Sequence, residues 1–125
     1  MKTKIIGLFI CMMLMTTVGL PNESANQPPN TPTTPTGPTA LIVGQSGTFF
    51  VSTSDPDGDM VKYQFDWNAS GSHLYSLWTS LIASGDTMSK TPSWAFPGVY
   101  VVKVRACDEH GATSGWSDGL IVTIT

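Results

Sequence analysis

With 125 residues the chain has room for one domain of average size and not for two. Charged side chains make up 12% of it, about half the usual share, which argues against a helical bundle, a coiled coil or a charge-rich disordered chain. Six basic and nine acidic groups give a formal charge of -3, with no Lys/Arg cluster in the main body, so nucleic acid is excluded as a partner.

Residues 1–20 have the pattern of a secretory signal peptide. Lys2 and Lys4 precede an uncharged, mostly apolar run from Ile5 to Leu20, short for a spanning helix, which takes ~20 residues. Cleavage is expected between Gly19 and Leu20. An uncleaved leader is the alternative, and the only way this chain would meet a membrane. Both readings make the remainder secreted or cell-surface. After cleavage Cys107 is the one cysteine left, so stability must come from an apolar core and not from an intrachain bridge.

Residues 21–37 read as a Pro/Thr-rich linker. The stretch from Pro21 to Pro38 holds six of the nine prolines and lacks apolar periodicity. Proline biases such a segment toward polyproline II, at ~3.1 Å per residue, which suggests a spacer of about 50 Å.

Residues 38–125 read as a domain with a period of two. Phe49, Val51 and Thr53 alternate with more polar neighbours, as do Val61, Tyr63, Phe65 and Trp67. Tyr100, Val102, Val104 and Ala106 form a third such set, and Leu120, Val122 and Ile124 a fourth. Each offers one apolar face to a core, which puts Lys103, Arg105 and Cys107 on the outward register. Turn signals at 44–47, 55–59, 85–86, 97–98 and 108–118 separate the sets. Together they predict an all-β sandwich of about seven short strands. Residues 73–83 resist this pattern, because Leu74, Leu77, Trp78, Leu81 and Ile82 fall at helical spacing among mediocre helix formers. An irregular edge segment is expected there, feeding a strand near Thr87 to Phe96.

The domain resembles a polycystic-kidney-disease (PKD) type immunoglobulin-like repeat. The matching pieces are Asp55-Pro56-Asp57-Gly58-Asp59, the strand from Val61 to Trp67, Ser93-Trp94, and Pro97-Gly98-Val99-Tyr100. They continue through Val102 to Ala106, Asp108 with Gly111-Ala112, and Ser114-Gly115-Trp116-Ser117-Asp118. The resemblance implies an immunoglobulin-like, fibronectin type III-like sandwich of the kind carried by exported prokaryotic surface proteins. After Trp67 the family usually continues with a Gly-Asp-Gly turn, whereas this chain reads Asn68-Ala69-Ser70-Gly71-Ser72.

Two candidate sites stand out. Asp55, Asp57 and Asp59 alternate on one turn, with Asp108 in a later loop. Calcium takes six to eight oxygen ligands, and carboxylates so spaced can supply several. The competing reading is a turn whose aspartates cap backbone N–H groups, with Gly58 supplying a positive φ. The second set is Tyr75, Trp78 and Trp116, which could stack on sugar rings, anchor a protein partner, or cap the ends of the sandwich. Trp67, Trp94 and Tyr100 are expected in the core.

Catalysis finds no support: His73 and His110 lie in loops with no nucleophile–base–orienter set around them. The expected function is that of an exported, non-catalytic module for adhesion or structural protein contact. The alternatives are a carbohydrate-binding module, or a truncated accessory domain of a larger surface protein or hydrolase. The partner is then a cell-surface protein or a glycan.

Overall fold

The computed structural model describes residues 25–125; the expected leader, with Cys11, lies outside them. Among the described residues six strands form two sheets. They are β1 (Ala40–Leu41), β2 (Phe49–Ser52), β3 (Val61–Asp66), β4 (Thr87–Lys90), β5 (Gly98–Asp108) and β6 (Leu120–Ile124). One sheet runs β1-β6-β5-β3 and the other pairs β2 with β4. All neighbours are antiparallel except β1 and β6.

The two-residue period places the core as expected. Phe49 and Val51 from the smaller sheet meet Val61, Tyr63, Phe65, Val102, Val104, Ala106, Val122 and Ile124 from the larger one. At one end Trp67 stacks on Phe65 with centroids 4.5 Å apart, and Trp94 meets Trp67 edge-on at 6.1 Å. The Trp94 indole N–H donates to the Trp67 carbonyl, which satisfies its polar edge inside the core. Tyr63, wholly buried, ties the sheets together by accepting the Thr53 N–H at 2.9 Å.

The irregular edge segment expected at 73–83 and the turn region at 108–118 both run beside strands, with a period of their own. Beside β3, the N–H groups of Ser76, Thr79 and Ile82 donate to the carbonyls of Phe65, Tyr63 and Val61. Three residues of the segment thus span two of the strand. The hydroxyls fill the gaps: Ser76 Oγ accepts the Phe65 N–H and Thr79 Oγ1 the Tyr63 N–H. Ser114 and Ser117 do the same for Ala106 and Val104 on β5. This period of three, not a helix, produces the spacing of Leu74, Leu77, Trp78, Leu81 and Ile82. The segment of Ser114 and Ser117 corrects the outward placement of Cys107, which is fully buried where Thr113 bridges back to it.

The proline-rich stretch packs against the domain from Asn26 onward. Pro29, Pro32 and Pro35 are buried while most of the residues between them are exposed. Polyproline II has three residues per turn, so prolines three apart share one face. That face lies along β2: Asn30 N–H donates to the Ser54 carbonyl, Thr53 Oγ1 donates to the Asn30 carbonyl, and Thr36 exchanges two backbone bonds with Phe50. This part of the stretch is a packed edge and not a free spacer.

Candidate functional site

Three aspartates beside the strand ends use one carboxylate oxygen in the same way. Asp55 Oδ1 accepts the N–H groups of Asp57 (2.8 Å) and Asp59 (3.3 Å). Asp108 Oδ1 accepts those of His110 and Ala112, both at 2.9 Å. Asp66 Oδ1 accepts those of Asn68 (3.1 Å) and Leu74 (3.0 Å). Gly58 (φ 75°) and Gly111 (φ 94°) close the first two turns in the left-handed region, where a side chain would be strained. Of the turn aspartates expected to cap N–H groups, Asp55 does so with Oδ1, and Asp108 and Asp66 cap in the same way outside that turn.

The second oxygens differ. Asp108 Oδ2 accepts the Asn26 side-chain N–H at 2.8 Å. Asp66 Oδ2 lies 2.6 Å from His73 Nδ1, and an ionised carboxylate can only accept, so Nδ1 carries the proton. His73 takes φ 63° to reach it, a strained position for a non-glycine residue. That contact, together with Asn68 accepting the Gly71 and His73 N–H groups, closes the turn where this chain departs from the family's usual sequence. By contrast, Asp55 Oδ2 and Asp59 Oδ2 are buried with no hydrogen-bond partner among the described residues.

Electrostatics follow this difference. Burial pushes the Asp55 carboxyl above its usual range; the Asp57 and Asp59 N–H groups oppose the shift, and the charges of Asp108 and Asp57 add to it. Asp59 is also raised by burial, opposed by His110 and reinforced by Asp55, Glu109 and Asp108. Burial acts on Asp66 as well, but the Leu74 N–H, the His73 ring and the Asn68 N–H together hold its carboxyl below the usual range.

Asp55, Asp57 and Asp59 each offer a carboxylate oxygen within 4.8 Å of the others. Asp57 is exposed and accepts the Gln27 N–H at 2.7 Å. Asp108 stands at the same end of the sandwich, close enough for its charge to raise both Asp55 and Asp59, with both its own oxygens engaged. A crowded all-oxygen set with two bare buried oxygens suits a hard divalent cation.

The expected aromatic set comes together, but on the outer face of β3 and β5 and not at the ends of the sandwich. Arg105 draws it in: its guanidinium lies 4.6 Å from the Trp116 ring and 5.4 Å from Trp78, and donates twice to Gln64 Oε1. Lys62 lies over Trp78 at 5.7 Å. Tyr75 stacks with Trp116 at 5.8 Å and with His73 at 5.4 Å. Each ring precedes a hydroxyl residue of the edge segments, as Tyr75-Ser76, Trp78-Thr79 and Trp116-Ser117. When the hydroxyl turns to the strand, the preceding ring lies over the sheet. Those three dipeptides were a sequence signal for the cluster. Arg105, the residue that organises it, carried no such mark.

An immunoglobulin-like sandwich with aspartate-capped turns defines the structural class. Among solved structures the chain is similar to the PKD domain of an M14-like peptidase from Thermoplasmatales archaeon SCGC AB-540-F20, with 35% identity and a TM-score of 0.70 over 80% of this chain and 98% of that one. The chain belongs to the PKD domain family. A CARDB domain from Pyrococcus furiosus, solved in complex with di-metal ions, shares the fold at 11% identity and a TM-score of 0.55, over 87% of this chain and 100% of that one. No family model and no curated protein matches the chain.

Proposed function

We propose that the chain is an exported, non-catalytic module that makes adhesive or structural contacts with a cell-surface protein. The state of its aromatic rings carries this reading. A glycan platform needs ring faces open to a sugar, whereas Tyr75, Trp78 and Trp116 each already have a ring or a cation stacked on them. The cluster pins the two edge segments over the sheet. Both histidines are also engaged by carboxylates, His73 with Asp66 and His110 with Asp59 and Glu109. The family match to a domain joined to a peptidase supports an accessory role.

Binding of the full chain to intact cells tests the proposal. Binding should disappear after protease treatment of the cells and survive glycosidase treatment. Glycan-array binding that is lost in Trp116→Ala would support the carbohydrate module instead.

Asp55, Asp57 and Asp59 are proposed to hold calcium as a structural ion. The two bare buried oxygens support this reading, because a cation would partner them and relieve the crowding of like charges. Calcium would then rigidify the end of the domain to which Gln27 and Asn26 are tied.

A further inference from the structure

A second ligand set lies beside the all-oxygen one and differs from it in chemistry. His110 Nε2 stands 3.5 Å from Asp59 Oδ1 and 3.9 Å from Glu109 Oε2. One ligand atom from each of the three residues lies within 4.8 Å of the others. Two ligands bound tetrahedrally to zinc at ~2.0–2.1 Å are ~3.3 Å apart, so His110 Nε2 already stands near a coordinating separation from each of the two carboxylates.

We propose that Asp59, Glu109 and His110 bind a transition-metal dication of the zinc type. An imidazole among the ligands is what separates this site from the first, since calcium and magnesium take oxygen ligands while imidazole suits zinc and its neighbours.

Each ligand is held from behind. Glu109 Oε1 accepts the Met60 N–H at 2.9 Å, which leaves Oε2 to face the histidine. Asp108 holds the His110 backbone and Asp55 that of Asp59. Asp59 Oδ2, the buried oxygen with no partner, belongs to the same carboxylate that faces His110 through Oδ1. An ion would reach the site through the partly exposed side chains of His110 and Glu109, at 39% and 38%. Three protein ligands leave a fourth position for water or for a donor from a partner protein. Apart from the shared Asp59, the site does not depend on calcium.

Zinc titration of the full chain in calcium-free buffer at neutral pH tests this. One saturable site is expected, with a raised melting temperature. His110→Gln and Glu109→Gln should each weaken zinc by about tenfold or more, while His73→Gln, which removes the other imidazole, should not. Cobalt should give a visible absorption band that His110→Gln abolishes. Calcium melts of the wild type and of His110→Gln, run in parallel, separate the two sites: a wild type that calcium stabilises but that does not bind zinc overturns this proposal alone. Zinc binding absent, or indifferent to His110→Gln, overturns it as well.

Discussion

The carboxylates before β3 and at its last residue make a controlled pair. Asp55 and Asp66 are both buried, both follow the strand register into a turn, and both cap two N–H groups with Oδ1. Asp66 goes on to place Oδ2 on His73, whereas Asp55 leaves Oδ2 bare beside a second bare oxygen on Asp59. The first is a finished structural charge, stabilised by three donors. The second is a buried charge whose second oxygen has no hydrogen-bond partner among the described residues. A buried carboxylate is therefore not informative by itself; what matters is how its second oxygen is used.

Removing Asp66 should have the largest effect. Asp66→Ala strands two backbone donors and the His73 ring, and is expected to cost about 3 kcal/mol or more in urea unfolding. Asp66→Asn keeps the Oδ1 cap and loses the charged contact to His73, so about 1–3 kcal/mol is expected. Next comes the edge pairing: Ser117→Ala removes the acceptor of the buried Val104 N–H and should cost about 1–2 kcal/mol. Lys103→Ala, on the outward register of β5, should stay within about ±0.5 kcal/mol.

The pair also differs in its pH response, and the sign follows from the shifts. Asp66 is lowered in the fold, so its contribution is present above the usual carboxylate range and is lost as pH falls through its folded value. Asp55 and Asp59 are raised, so each favours the protonated fold and costs stability as pH rises through its folded value. In chelator, Asp59→Asn should stabilise the fold at neutral pH, with the gain vanishing as pH drops below the usual carboxylate range. Acid titration of stability for the wild type, Asp59→Asn and Asp66→Asn resolves the opposite signs. A gain that grows on acidification would reverse the assignment for Asp59.

Much of this was legible in the residues. Alternation at Val61, Tyr63, Phe65 and Trp67 placed the core because a strand with one buried face has no other register. The aspartate turn was visible from its spacing and from Gly58. What alternation could not show was pairing by side chains. Ser76, Thr79, Ser114 and Ser117 substitute hydroxyls for ladder groups, and that period of three resembles helical spacing when only apolar residues are counted. The same blind spot hid the docked face of Pro29, Pro32 and Pro35, since composition alone reads proline as spacer. Cys107 fell on the outward register correctly by count, but a segment folding back over the strand end buried it. Which oxygen of which aspartate lacks a partner depends on Asn26, Gln27 and His73, residues 7 to 82 positions away in sequence, and no local pattern contains that information.

Melting of the full chain with calcium and with chelator, in the wild type and in Asp55→Asn, tests the central distinction most directly. An ion that binds only the native state adds ~2.7 kcal/mol at about a hundred times its dissociation constant, enough for a shift of several degrees. Asp55→Asn retains the Oδ1 cap and replaces the bare oxygen with a donor directed into the acidic cluster. The account predicts a wild type that melts higher in calcium, and an Asp55→Asn protein that ignores calcium yet melts at or above the chelated wild type. A wild type indifferent to millimolar calcium, with Asp55→Asn destabilised as Asp66→Asn is, would show the two carboxylates to be equivalent structural caps and contradict the account.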